Sequence, residues 1–195
     1  MIKKINIRFS VLALIVILAG MSRLVVHIPN FTPVGAMALF GGAYFSDKWK
    51  AALMPLVSLF LSDMVIQGIV YQGKYGFPLY DGWYWVYGTF ALIVFFGKWI
   101  IQKVTIGNVL MASIAASLAH WFITDFWVWS SGMNPVYTKD LQGLILCYTM
   151  ALPYLLSFLM GTVFYAAMFF GVFEIAQRRF SVLSKDNTNS IEVFA

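Results

Sequence analysis

The chain has 195 residues, 61% hydrophobic and 11% charged, with a formal net charge of +5. So little charge, with a mean hydropathy of +0.81, excludes an ordinary soluble domain. The basic residues stand at the ends of apolar runs, so they do not form a nucleic-acid surface, and the lone cysteine, Cys147, excludes an internal disulfide and a cysteine-based metal site.

Lys3, Lys4 and Arg8 precede an apolar run that opens at Phe9 and continues to Ile28. No small-x-small cleavage site follows it, so it reads as an uncleaved first transmembrane helix. Apolar spans are predicted at about 9–28, 33–47, 50–70, 83–102, 107–130 and 153–177, each near the roughly 20 residues that cross a bilayer. The predicted fold class is all-α, a polytopic membrane bundle of six transmembrane helices. It forms one domain over residues 1–180, with a flexible cytoplasmic tail over 181–195.

The second span is short and follows turn-forming Pro29, Asn30 and Pro33. Its sequence, PNFTPVGAMALFGGAY, is rich in small residues. Ala38 and Gly42 are spaced to let another helix approach closely. Similar pairs recur at Ala112 and Ala116, Ser113 and Ser117, Ala115 and Ala119, and Ser157 and Gly161. The stretch LQGLILCYTMAL, 141–152, precedes Pro153 and is too short to span alone. It reads as a half-helix leading into the last span.

With the N-terminus cytoplasmic, Lys3, Lys4, Arg8, Lys48, Lys50, Lys98, Lys103, Arg178, Arg179 and Lys185 all fall inside, and only Lys74 and Lys139 outside. An even number of spans produces that asymmetry, so both termini are predicted to be cytoplasmic. The outward loops are then 29–32, 71–82 and 131–142. Aromatic residues crowd this side: Tyr71, Tyr75, Phe77, Tyr80, Trp83, Tyr84, Trp85 and Tyr87, then Trp121, Phe122, Phe126, Trp127 and Trp129. An interfacial belt accounts for such residues in any bundle, whereas their one-sided excess fits the walls of an outward-facing pocket.

Ionisable groups within spans are few: Arg23 and His27 on the first, Asp63 on the third, His120 and Asp125 on the fifth. Each costs about 2.5–3.5 kcal/mol at mid-membrane on insertion scales, so each is expected to have a partner or a job. Counting along the spans puts Arg23, Asp63 and Asp125 in the outer half. Either Arg23 pairs with Asp63 or Asp125 as structural glue, or these groups floor a pocket. The candidate ligand-binding residues are Arg23, Asn30, Asp63, Trp83, Trp85, Tyr87, His120, Asp125 and Trp127. His120 and Asp125 lie roughly 140° apart around a helix, which argues against a shared face and against an enzyme built on the pair. No Walker A loop or HExxH occurs, and no catalytic residue, metal ligand or cofactor is assigned.

The segments NFTPVGAMALFGGAYF, Ser62–Asp63, VYGTFALIVFFGK, FITDFWVW and GLILCYTMALP together resemble a family of uncharacterised bacterial six-helix membrane proteins. That family is similar to the S components of energy-coupling factor (ECF) vitamin transporters, solitary cobalamin-type S components among them. On the side of the uncharacterised family the resemblance rests on Asn30–Pro33, Asp63, Tyr87 and Asp125–Trp129. The first span has Ala13, Ala19 and Gly20 without the small-residue docking pattern of those transporters, and Val86–Phe90 lacks a cobalt-ligating cysteine. The resemblance implies a multi-pass protein of the bacterial cytoplasmic (inner) membrane that captures a vitamin-like small molecule from the outer face. Its implied partners are the lipid bilayer, that ligand and an ECF-type transmembrane/ATPase module, with no nucleic acid. The alternatives are a structural or assembly subunit and an intramembrane enzyme.

Overall fold

A helix that is apolar on every side is either buried among its neighbours or faces lipid. The computed structural model, which describes residues 7–24, 28–74, 76 and 78–183, buries one such helix at its centre. Its helices are α1 (Ile7–Ser22), α2 (Val34–Tyr44), α3 (Lys48–Val65), α4 (Trp83–Ile100), α5 (Ile106–Ser131) and α6 (Leu141–Arg179). A π-helical segment, Ile66–Val70, extends α3, and Ser181–Leu183 forms a 3-10 turn. No strand occurs among the described residues.

The all-apolar helix is α2, where Val34 to Gly42 and Tyr44 are buried. It is the axis on which the other helices pack. Its glycines mark the closest approaches. A Cβ on Gly35 would meet Phe158 and Thr162 of α6, one on Gly41 the Ala51 carbonyl and Pro55 of α3, and one on Gly42 the Val94 carbonyl of α4. Gly97 of α4 lies against the Leu39 backbone in return. Phe40 is fully buried among the rings of Tyr44, Phe169, Phe170 and Phe173.

The helices alternate in direction. Ser58 of α3 donates to the Val16 carbonyl of α1, and Arg23 beyond α1 reaches Asp63 further along α3, so these two run parallel. Arg8 at the start of α1 bonds Gln177 at the end of α6, which runs the other way. Arg8, Lys50, Lys98, Lys103, Arg178 and Arg179 therefore share one end of the bundle, and Lys74 and Lys139 the opposite end.

Among the described residues, three helical stretches are long and apolar enough to cross a membrane: Trp49–Val70, Ile106–Ser131 and Leu141–Arg179. The sequence predicts six, and for α1 and α2 the difference has local causes. α2 has 11 residues, about 16 Å, because Phe45 turns extended and Asp47 caps α3 by accepting from the Trp49 N–H at 2.9 Å. α1 stops at Ser22, whose hydroxyl donates back to the Ala19 carbonyl, so Arg23 lies in the turn after the helix rather than inside a span. The predicted half-helix at 141–152 is instead the first third of a continuous α6 with Pro153 inside it. Contacts to α5 hold the stretch before the proline: Tyr148 donates to the Phe122 carbonyl at 2.8 Å and Cys147 to the Asp125 carbonyl at 3.5 Å.

The predicted tail includes three described residues. Ser181–Leu183 folds back on the bundle, with Leu183 buried and its carbonyl accepting from Arg8. Residues 184–195, together with Lys3, Lys4, His27, Tyr75 and Phe77, lie outside the described residues.

Candidate functional site

The polar residues of the bundle's less basic end form three groups. The first is an ion-pair network. Arg23 Nη1 donates to Asp63 Oδ1 at 2.7 Å and to Ser62 Oγ, and the Tyr87 hydroxyl donates to Asp63 Oδ2 at 2.9 Å. Asp63 is 3% exposed, and both its oxygens are engaged within the fold. Trp83 packs edge-on against Tyr87 at 5.6 Å. Tyr80, on the connection between α3 and α4, joins the group electrostatically. Burial, and then the nearby Asp63 charge, raise its phenol well above the ordinary range, so it remains a neutral hydroxyl.

Directly above lies a groove of about 910 Å³ between the π-helical end of α3, the α3–α4 connection and the end of α5. Gln67, Tyr71, Tyr80, Trp127, Ser131 and Asn134 are among its lining residues. Gly82 seats the Trp127 wall: its φ of +77° suits glycine, and a Cβ there would strike the Trp127 ring. Gln67 is 5% exposed, and its Oε1 has no hydrogen-bond partner.

The third group lines a cavity of about 80 Å³ formed by Asn30, His120, Trp121, Thr124, Asp125, Tyr154 and Leu155. Its rim is the loop before α2, where Asn30 takes a φ of +58°. Ser157 of α6 clamps that loop by donating to the Pro29 carbonyl at 2.6 Å, and Gly161 leaves room for the Phe31–Thr32 backbone. His120 stacks on Phe158 at 4.4 Å. The Trp121 indole N–H is buried without a partner, and Asp125 has no basic side chain paired with it among the described residues.

The angular objection to a shared His120–Asp125 face is corrected here. Thr124, Trp121 and Asp125 follow His120 at roughly 40°, 100° and 140° around α5, so one cavity laid over that flank touches all four. The single receptacle expected from the sequence is corrected as well. Asn30, His120 and Asp125 line the small cavity, Trp127 lines the groove, and Arg23, Asp63 and Tyr87 belong to the network beneath it. Trp83 and Trp85 line neither. Trp83 is 42% exposed, and among the described residues Trp85 has Tyr84 as a ring neighbour. Their place at the start of α4 suits an interfacial belt.

Gln67 is absent from the sequence-derived set. The signal for it was a lone amide in an apolar run, one turn beyond Asp63 on the same helix face. Spacing alone did not show that the Asp63 carboxylate is consumed within the fold while the Gln67 amide oxygen is not.

A family model matches residues 3–184, which includes every helix, the network and both cavities. The chain belongs to the family of unknown function DUF6580. No curated protein and no solved structure matches this DUF6580 chain at a significant level. The likeness to S components is not part of the DUF6580 match.

Proposed function

We propose that this protein is a membrane-embedded substrate-binding protein that captures a vitamin-like small molecule at its less basic end, in the manner of an S component. The observation that carries this reading is the groove, with aromatic walls, polar groups at its floor and a volume of about 910 Å³. Pockets for such ligands run roughly 300–1,000 Å³. The lower cavity, about 80 Å³, is the size for a few ordered waters and not for the ligand.

The clustering of basic residues at the opposite end supports an orientation with both termini cytoplasmic in a bacterial inner membrane. In this reading all six helices lie at membrane depth, with the short α2 enclosed by the others. An ECF-type transmembrane and ATPase module would supply the energy for release.

The test is native mass spectrometry of gently purified protein, followed by thermal-shift binding across a vitamin panel. Trp127→Ala is expected to weaken the bound compound about tenfold or more. Trp85→Ala is expected to leave its affinity unchanged. A panel without a binder and a preparation without a co-purified small molecule would refute capture, as would a binder indifferent to Trp127→Ala.

One observation favours the assembly-subunit alternative. α6 has 39 residues, ~58 Å against a hydrocarbon core of roughly 30 Å, and it exposes Leu141, Ile145 and Met150. A native complex of fixed stoichiometry without an ATPase would support that alternative.

A further inference from the structure

The deepest polar side chain of the groove is an amide left over after the fold's own hydrogen bonds are made. Gln67 sits in the π-helical segment, and such segments recur at functional sites because they re-aim a side chain within an otherwise regular helix. Its backbone is held in place: the Gly73 N–H donates to the Gln67 carbonyl at 2.8 Å, and the Tyr71 N–H donates to the Ile66 carbonyl at 2.9 Å. The residue is 5% exposed, and Oε1 is buried without a partner. Buried amide oxygens are rarely left in that condition. The nearest ionic network is fully occupied with itself, since Asp63 spends one oxygen on Arg23 and the other on Tyr87.

We propose that Gln67 is the specificity-determining residue of the groove, and that it reads the N–H edge of a planar heterocycle bearing a lactam or similar cyclic amide. This inference rests on the reading of the groove as a capture site. A carboxamide presents an acceptor beside a donor. Its complement is a donor beside an acceptor, whichever way the amide is turned. The Trp127 and Tyr80 rings on the same groove favour a flat partner. A flat ring without an N–H would leave Oε1 as unpaired as before, and a site built to hydrogen-bond discriminates strongly against a ligand lacking that group.

The experiment uses matched probes and isothermal titration calorimetry on the full-length protein in detergent. The pairs are lumazine with 1,3-dimethyllumazine, and lumichrome with 1,3-dimethyllumichrome. The N–H member of a pair is expected to bind at least about tenfold more tightly, and Gln67→Leu is expected to bring that ratio to about one. The ligand-free Gln67→Leu protein should melt at or above the wild-type temperature, since an unpaired buried polar group has been removed. A lower melting temperature would mean that the amide has a structural role, and the inference would fall. Equal affinity within each pair, or a ratio that survives Gln67→Leu, would also overturn it. If only non-planar compounds bind and Trp127→Ala weakens them, the inference falls and capture stands. If nothing binds, both fall.

Discussion

Asp63→Ala is expected to destabilise the protein by about 3–5 kcal/mol, the largest effect of any single polar change here. The cost comes from what is stranded. Removing the carboxylate leaves the Arg23 guanidinium, 18% exposed, without its 2.7 Å partner, and leaves the Tyr87 hydroxyl without its acceptor. The same pair ties the end of α1 to α3, so the melt should also lose cooperativity. Replacing both partners, Arg23→Met with Asp63→Leu, should recover most of the loss, because apolar groups of similar volume often match a buried ion pair in stability. Thermal unfolding in detergent, followed by tryptophan fluorescence, measures all three variants. A loss below about 1 kcal/mol for Asp63→Ala would show that the pair is too well solvated to hold the two helices together.

Gly42→Val should be the most damaging change in the apolar core. A Cβ at Gly42 would meet the Val94 carbonyl and the Lys98 N–H, which are backbone groups of α4 and cannot rotate away. α2 and α4 would have to separate along their length, at a cost of about 3 kcal/mol or more, the upper range for overpacking. Gly88→Ala is the matched control. It also lies within a helix, but a Cβ there has nothing within 4 Å, so the substitution should stabilise α4 by about 0.5–1 kcal/mol. Folded yield and midpoint temperature read both changes, and equal behaviour of the two variants would refute the close approach of α2 to α4.

These two predictions differ in how far the sequence foresaw them. The spacing of Ala38 and Gly42 is enough to mark α2 as a close-packing helix, because small residues four apart have one dominant use in an apolar helix. Two of the three small pairs on α5 read equally well: Ala112, Ser113, Ala116 and Ser117 all face the interior, whereas Ala115 and Ala119 are only half-buried. The partner of Arg23 was only half legible: structural glue was the reading for Arg23 and Asp63, with Asp125 as the other candidate partner. Both Asp63 and Asp125 stood at suitable depth, and only the parallel run of α1 beside α3 selects Asp63. Trp83 and Trp85 show the limit of reading aromatics from composition. A belt and a pocket wall use the same residues, and only the linings of the groove and the cavity, which include neither tryptophan, separate them.

The groove was half visible. Tyr71, Tyr80 and Trp127 belong to the aromatic segments that suggested a pocket, and all three line it. Its floor was hidden, because spacing puts Gln67 on the Asp63 face but does not show which of the two side chains the fold leaves without a partner. α6 illustrates the same limit. Pro153 normally signals a break, and bonds from Cys147 and Tyr148 to α5 are among those that keep the helix continuous.

By itself, the sequence determined the helical class, the short α2 crowded with small residues, and the sorting of basic residues to one end. Each follows from local chemistry: apolar periodicity, the room left by a missing side chain, and the alternating direction of successive helices. Tertiary structure alone decided where α1 stops and α6 begins, which carboxylate Arg23 holds, and that the polar residues divide between a network, a groove and a small cavity. Those outcomes depend on the relative rotation and height of neighbouring helices, which packing sets and residue spacing does not encode.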